Sequence, residues 1–158
     1  MSLTLSKQAG QRLAYLRRLL NHKRRVWQEG RKLNVPARLL LIHDWDKFVP
    51  WRFIAFAAAA EYLEAGQDKY KVEKLVPEFG KAWRSHVVNN KHHWEYYRDD
   101  GWSLKMPDVY RREMLADWRA MSKGDECLRK WYQNHPTLRL HPETRAWMDS
   151  QIEGVSGV

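Results

Sequence analysis

The sequence predicts an all-α fold, a bundle of about six to seven helices, on three observations. Apolar residues recur at the three-and-four spacing that lines up one face of a helix. No segment sustains the two-residue alternation of a half-buried strand. Pro36, Pro50, Pro77, Pro107 and Pro142 each stand where a helix would begin, a position that suits a residue with fixed φ and no N–H to satisfy. A chain of 158 residues is long enough to bury a substantial core, and one domain over residues 1–158 is expected.

The elements follow in order. The first helix is expected from Ser6 to Leu33, with Tyr15, Leu19, His22 and Val26 in one row, and it stops at Asn34 ahead of Pro36. Pro36 opens a second helix through Lys47. Pro50 opens a third through Ala65, with Gly66 as its stop. Pro77 opens a fourth to about Arg98, whose row is Phe79, Trp83, His86, Asn90, His93 and Tyr97, and Asp99-Asp100-Gly101 ends it. Pro107 opens a fifth to Ser122, with Tyr110, Met114, Asp117 and Met121 in its row and Gly124 as its stop. A shorter sixth covers Glu126 to Gln133, and Pro142 starts the last. The closing residues Gly154 to Val158 are expected to fray.

Composition narrows the function classes. An apolar content of 44% with nine tryptophans excludes a disordered chain. No apolar run is long enough to span a membrane, and the N-terminus does not resemble a secretion signal. The single Cys127 excludes an internal disulfide and disfavours a cysteine-based zinc site, so a reducing, cytoplasmic setting is expected. The net charge of +9 is uneven: residues 1–38 hold ten Lys/Arg against the one acid Glu29, and the remainder is balanced. Arg17, Arg24 and Arg31, with Arg18, Arg25 and Lys32 beside them, repeat every seven residues as a stripe roughly opposite the His22 row. Such a stripe is either a solvated outer face or a surface for anions, nucleic acid included.

Polar residues on apolar rows carry the chemical information. A carboxylate or imidazole facing a core must find a partner, because burying it alone costs several kcal/mol, roughly. His22, His86, His93 and Asp117 are so placed, and His43-Asp44 adds an adjacent pair of ligand types after Leu39-Leu40-Leu41-Ile42. Imidazole with carboxylate suits a divalent transition metal: Mn, Fe, Co, Ni or Zn. On a continuous helix His86 and His93 would lie about 10.5 Å apart along the axis, too far for one ion, so either two ions are held or one histidine serves substrate. On that helix His92 would point about 100° away from His93 and face solvent. Glu113, one turn before Asp117, is a candidate to orient a ligating histidine.

The order His22, His43-Asp44, His86, His92-His93, Asp117 resembles the HD superfamily of helical metal-dependent phosphohydrolases. The resemblance implies an HD-like helical domain in which His22, His43, Asp44 and Asp117 ligate one metal, with their donor atoms within about 5 Å of a common point. It implies that His86 and one of His92 and His93 hold a second metal or contact a substrate phosphate. His43-Asp44-Trp45-Asp46-Lys47 is similar to the His-Asp-x-x-Lys form of some branches, which gives Lys47 a catalytic role beside Asp44. More closely, His43-Asp44-x-x-Lys47-Phe48, Asn90-Lys91-His92-His93-Trp94, Glu113-Met114-x-x-Asp117-Trp118 and Leu140-His141-Pro142-Glu143-Thr144 resemble a small family of uncharacterised bacterial and phage proteins. In that pattern Asn90 and Glu113 stand behind the ligands.

The leading expectation is hydrolysis of a nucleotide or other phosphate ester by a metal-activated water, with one or two ions. Lys47 and the spare histidine would meet phosphate oxygens, Arg17, Arg24, Arg25 and Arg31 would attract the anion, and Trp45, Trp94 or Trp118 could stack on a base. Two alternatives stay open at this point: a di-iron oxygenase of the same superfamily, and a basic nucleic-acid-binding protein with a structural metal. The sequence leaves the oligomeric state open.

Overall fold

The computed structural model describes residues 2–99, 102–122, 124–135 and 138–153. Among these residues the chain is predominantly helical, with eight α-helices: α1 Ser2–Lys32, α2 Ala37–Ile42, α3 Pro50–Glu64, α4 Lys69–Leu75, α5 Pro77–Asn89, α6 Asp108–Met121, α7 Asp125–Gln133 and α8 Pro142–Ile152. The two strands, β1 Arg98–Asp99 and β2 Trp102–Ser103, form one short antiparallel pair. The frayed end expected from Gly154 to Val158, and the Asp100-Gly101 part of a helix stop, lie outside the described residues. No helix among the described residues is long and apolar enough to cross a membrane.

The residues group into two compact units, one from residues 1–23 and 43–89, the other from 24–42 and 90–158. In the first unit Tyr15 and Leu19 of α1 meet Phe56, Ala59 and Ala60 of α3, Val72 of α4, and Phe79 and Ala82 of α5. The run of alanines in α3 lets its neighbours approach closely, and the Phe56 ring sits edge-on to Phe79 at 5.6 Å. In the second unit Val26 of α1 packs with Val35, Leu40 of α2, and Ala116 and Ala120 of α6. A further cluster joins Met114 and Leu115 of α6 to Leu128 and Tyr132 of α7 and to Met148 and Ile152 of α8.

The helices α2, α3, α5, α6 and α8 start at or one residue after the five prolines, but three departures bear on the site. The second helix stops at Ile42 instead of Lys47, because Asp44 takes the left-handed conformation (φ 56°, ψ 16°) before a 3₁₀ turn, Trp45–Phe48. The fourth predicted helix stops at Asn89 instead of Arg98. There the Asn89 side chain donates to the Ser85 carbonyl at 2.6 Å, a local bond that competes with the helical ladder, and His93 is extended (φ −84°, ψ 130°) ahead of a second 3₁₀ turn, Trp94–Tyr97. The third departure is α4, which the sequence reading passes over although Asp68 is an ordinary N-cap: its carboxylate accepts from the Tyr70 N–H at 2.8 Å. Met121, placed on the core row of the fifth predicted helix, is 69% exposed at the end of α6.

Candidate metal centre

The break at Asp44 builds the site in the first unit. Adjacent residues of a regular helix point about 100° apart, so His43 and Asp44 in a continuous helix would diverge. With Asp44 left-handed the chain turns between them, and both side chains are buried, each 1% exposed. Aspartate is one of the few residues that enter this conformation at modest cost.

Around the Asp44 carboxylate stand three imidazoles. His22 Nε2 of α1 lies 3.4 Å from Asp44 Oδ2, His43 Nε2 lies 3.7 Å from the same oxygen, and His86 Nε2 of α5 lies 3.3 Å from Oδ1. One donor atom each from His22, His43 and Asp44 falls within 4.8 Å of the others. These separations are long for hydrogen bonds. The two shorter ones fall within the edge of a tetrahedral site, because ligand atoms about 2.0–2.2 Å from an ion lie roughly 3.3–3.6 Å apart. The chain therefore holds a buried His/Asp group that could take a metal ion. A donor set of imidazoles and a carboxylate suits a borderline transition metal better than Mg²⁺ or Ca²⁺, which prefer oxygen.

Cations balance the buried carboxylate. Lys47 Nζ is 2.7 Å from Asp44 Oδ2, and its side chain is 17% exposed. Burial alone would raise the Asp44 pKa, but Lys47, then His43 and His86, and a hydrogen bond from His22 hold it well below the ordinary carboxylate value. Lys23 donates to the His43 carbonyl, which fixes the chain at this point. The Tyr15 phenol is pushed up, by burial first and then by Asp44 and Asp46, so it stays protonated beside the two carboxylates.

Asp46, Arg52 and Ser85 also belong to this environment, and sequence reasoning missed all three. His86 Nδ1 donates to both oxygens of Asp46 at 3.0 Å. Arg52 Nη1 lies 3.4 Å from Asp46 Oδ2, and Arg52 Nη2 donates to Ser85 Oγ at 2.6 Å. Within the His43–Lys47 pentapeptide Asp46 was the one signal available.

The second unit holds a cluster of its own. His92, Glu113 and Asp117 are buried; His92 Nδ1 lies 3.4 Å from Glu113 Oε1 and its Nε2 lies 4.0 Å from Asp117 Oδ2. The expectation that His92 faces solvent is thereby corrected: α5 has already ended, and a turn, not a helix, presents it. His93 is half-buried, its ring 4.4 Å from that of His92 and its Nδ1 3.9 Å from Glu95 Oε2. The helical spacing of His86 and His93 falls away for the same reason. The Asn90 carbonyl accepts from the His93 N–H at 3.2 Å.

Of the basic stripe, Arg17, Arg24 and Arg31 are exposed. Arg25 is half-buried instead and donates to the Ser122 carbonyl at 2.6 Å. Trp45 is 63% exposed, one residue beyond Asp44.

A model for a family described as a family of unknown function (DUF5662) matches residues 11–154. Searches of curated proteins and of solved structures find no match.

Proposed function

The chain belongs to this family of unknown function, DUF5662, and for it we propose a metal-dependent phosphohydrolase of HD type, acting on a nucleotide or another phosphate ester. The observation that carries the reading is the convergence of three imidazole Nε2 atoms on one buried carboxylate at 3.3–3.7 Å. A divalent transition metal bound there would lower the pKa of a water and neutralise charge on a phosphoryl group.

His22, His43, Asp44 and His86 would hold the ion. Asp44 supplies the negative charge of the set and holds Lys47 beside it. The Lys47 ammonium, on a flexible stem and partly open to solvent, is the cation that would meet a phosphoryl oxygen. Burial of His43 and His86 removes competing water and strengthens every charge interaction at the site. The exposed Arg17, Arg24 and Arg31 would raise the local concentration of an anionic substrate. The exposed, unpaired Cys127 fits a reducing compartment.

The test pairs metal analysis of protein purified without chelators with a phosphate-release screen over nucleotides and simple phosphate esters. Turnover that needs a transition metal and disappears in Asp44→Ala supports the proposal. Salt-sensitive nucleic-acid binding with no turnover would instead support the binding-protein alternative.

A further inference from the structure

We propose that Asp46 is the positioning residue of the site, locking His86 in the tautomer that leaves Nε2 open to a metal. The inference rests on the reading above that His86 Nε2 is a ligand. An imidazole binds a metal through an unprotonated nitrogen, and the hydrogen bond at the other nitrogen decides which one that is. Here the choice is built in. Both Asp46 oxygens lie 3.0 Å from His86 Nδ1, so the carboxylate accepts the Nδ1 proton and Nε2 is left to face Asp44 Oδ1 at 3.3 Å.

Both Asp46 oxygens approach the ring at Nδ1, the nitrogen other than the one that faces Asp44. Two further contacts hold the carboxylate there. Arg52 reaches Asp46 with one guanidinium nitrogen at 3.4 Å and Ser85 Oγ with another at 2.6 Å. Since Ser85 immediately precedes His86, the chain of contacts closes on the helix that carries the ligand. The ring plane is fixed separately, by Phe56 edge-on at 5.7 Å and 82° and by Trp83 at 5.9 Å. The aromatic contacts set where the ring stands, while Asp46 sets which nitrogen carries the proton.

The experiment uses ¹⁵N-labelled protein and two readouts: the histidine ¹H–¹⁵N correlation pattern of the metal-free chain, and the affinity for Zn²⁺ by competition with a chromophoric chelator. In the metal-free protein His86 should show the Nδ1–H pattern. In Asp46→Ala that pattern should be lost, and Zn²⁺ affinity should fall about 10- to 100-fold. Asp46→Asn, which keeps shape and an acceptor oxygen but lowers its basicity, should retain the fold and fall between the two in affinity. Asp46→Glu should recover part of the loss. If His86 keeps the Nδ1–H pattern and Zn²⁺ affinity is unchanged in the folded Asp46 variants, the positioning role is overturned while the metal site stands. If the wild-type chain binds no Zn²⁺, the metal reading fails. The tautomer pattern then still decides whether Asp46 controls His86.

Discussion

Asp44 does two separable jobs, and substitutions can divide them. Its carboxylate draws in His22, His43, His86 and Lys47, and its backbone sits at φ 56°. Asp44→Asn keeps a side chain that tolerates this conformation but removes the charge, so metal should be lost while the fold persists. Asp44→Ala should lose metal and also be less stable than Asp44→Asn by about 1–2 kcal/mol, the cost of a left-handed residue with an ordinary Cβ. Denaturant melts of the two variants side by side measure that difference. Lys47→Met should leave metal content unchanged and lower kcat/KM toward a phosphate ester about 10²- to 10³-fold, the usual loss for one electrostatic contact in a transition state. His22 and His86, which meet Asp44, were legible because a polar side chain on an apolar row demands a partner, and His43 through its place beside Asp44. Asp46 and Arg52 were not, since their pairing depends on a 3₁₀ turn that no periodicity announces.

Where helices end matters more to this site than where they begin. Prolines mark the starts of α3, α5 and α8 plainly, and those starts were readable. The ends of α2 and α5 are set by Asp44 and Asn89, residues that a propensity argument reads as tolerable inside a helix. Both departures move ligand-type side chains: the first turns His43 and Asp44 toward each other, the second takes His92 and His93 off the helix and buries His92. The join of α1 to α2 depends on a close approach. A Cβ built on Gly30 would stand 2.3 Å from Leu40 Cδ2, with Cδ1 at 3.1 Å and Cγ at 3.2 Å, so moving one methyl does not clear it. Gly30→Val should therefore destabilise the chain by about 1–3 kcal/mol, the range for overpacking a filled core. A lowered midpoint in thermal or urea unfolding checks it.

Across the whole molecule the account makes metal uptake depend on pH. Metal binding requires neutral imidazoles and an ionised carboxylate, so it competes with protons. Burial first, and then Lys47, hold the His86 pKa below its ordinary 6.5, against Asp44 and Asp46, which raise it. Asp44 is held well below 3.8. Both shifts keep the ligand form populated into mild acid, so affinity should be flat above neutrality and weaken as pH falls below the histidine range. Zn²⁺ titrations at a series of pH values would read this, and a rise in affinity on acidification would contradict it. The charge asymmetry acts at the same scale: Arg24→Glu with Arg31→Glu should weaken capture of an anionic ligand, most at low salt, without releasing metal. The most direct test of the central claim is the transition-metal content of chelator-free wild-type protein against Asp44→Asn, by elemental analysis. The account predicts about one to two equivalents in the wild type and near none in a folded variant. A folded wild-type chain that carries no transition metal and takes up neither Zn²⁺ nor Mn²⁺ would contradict it.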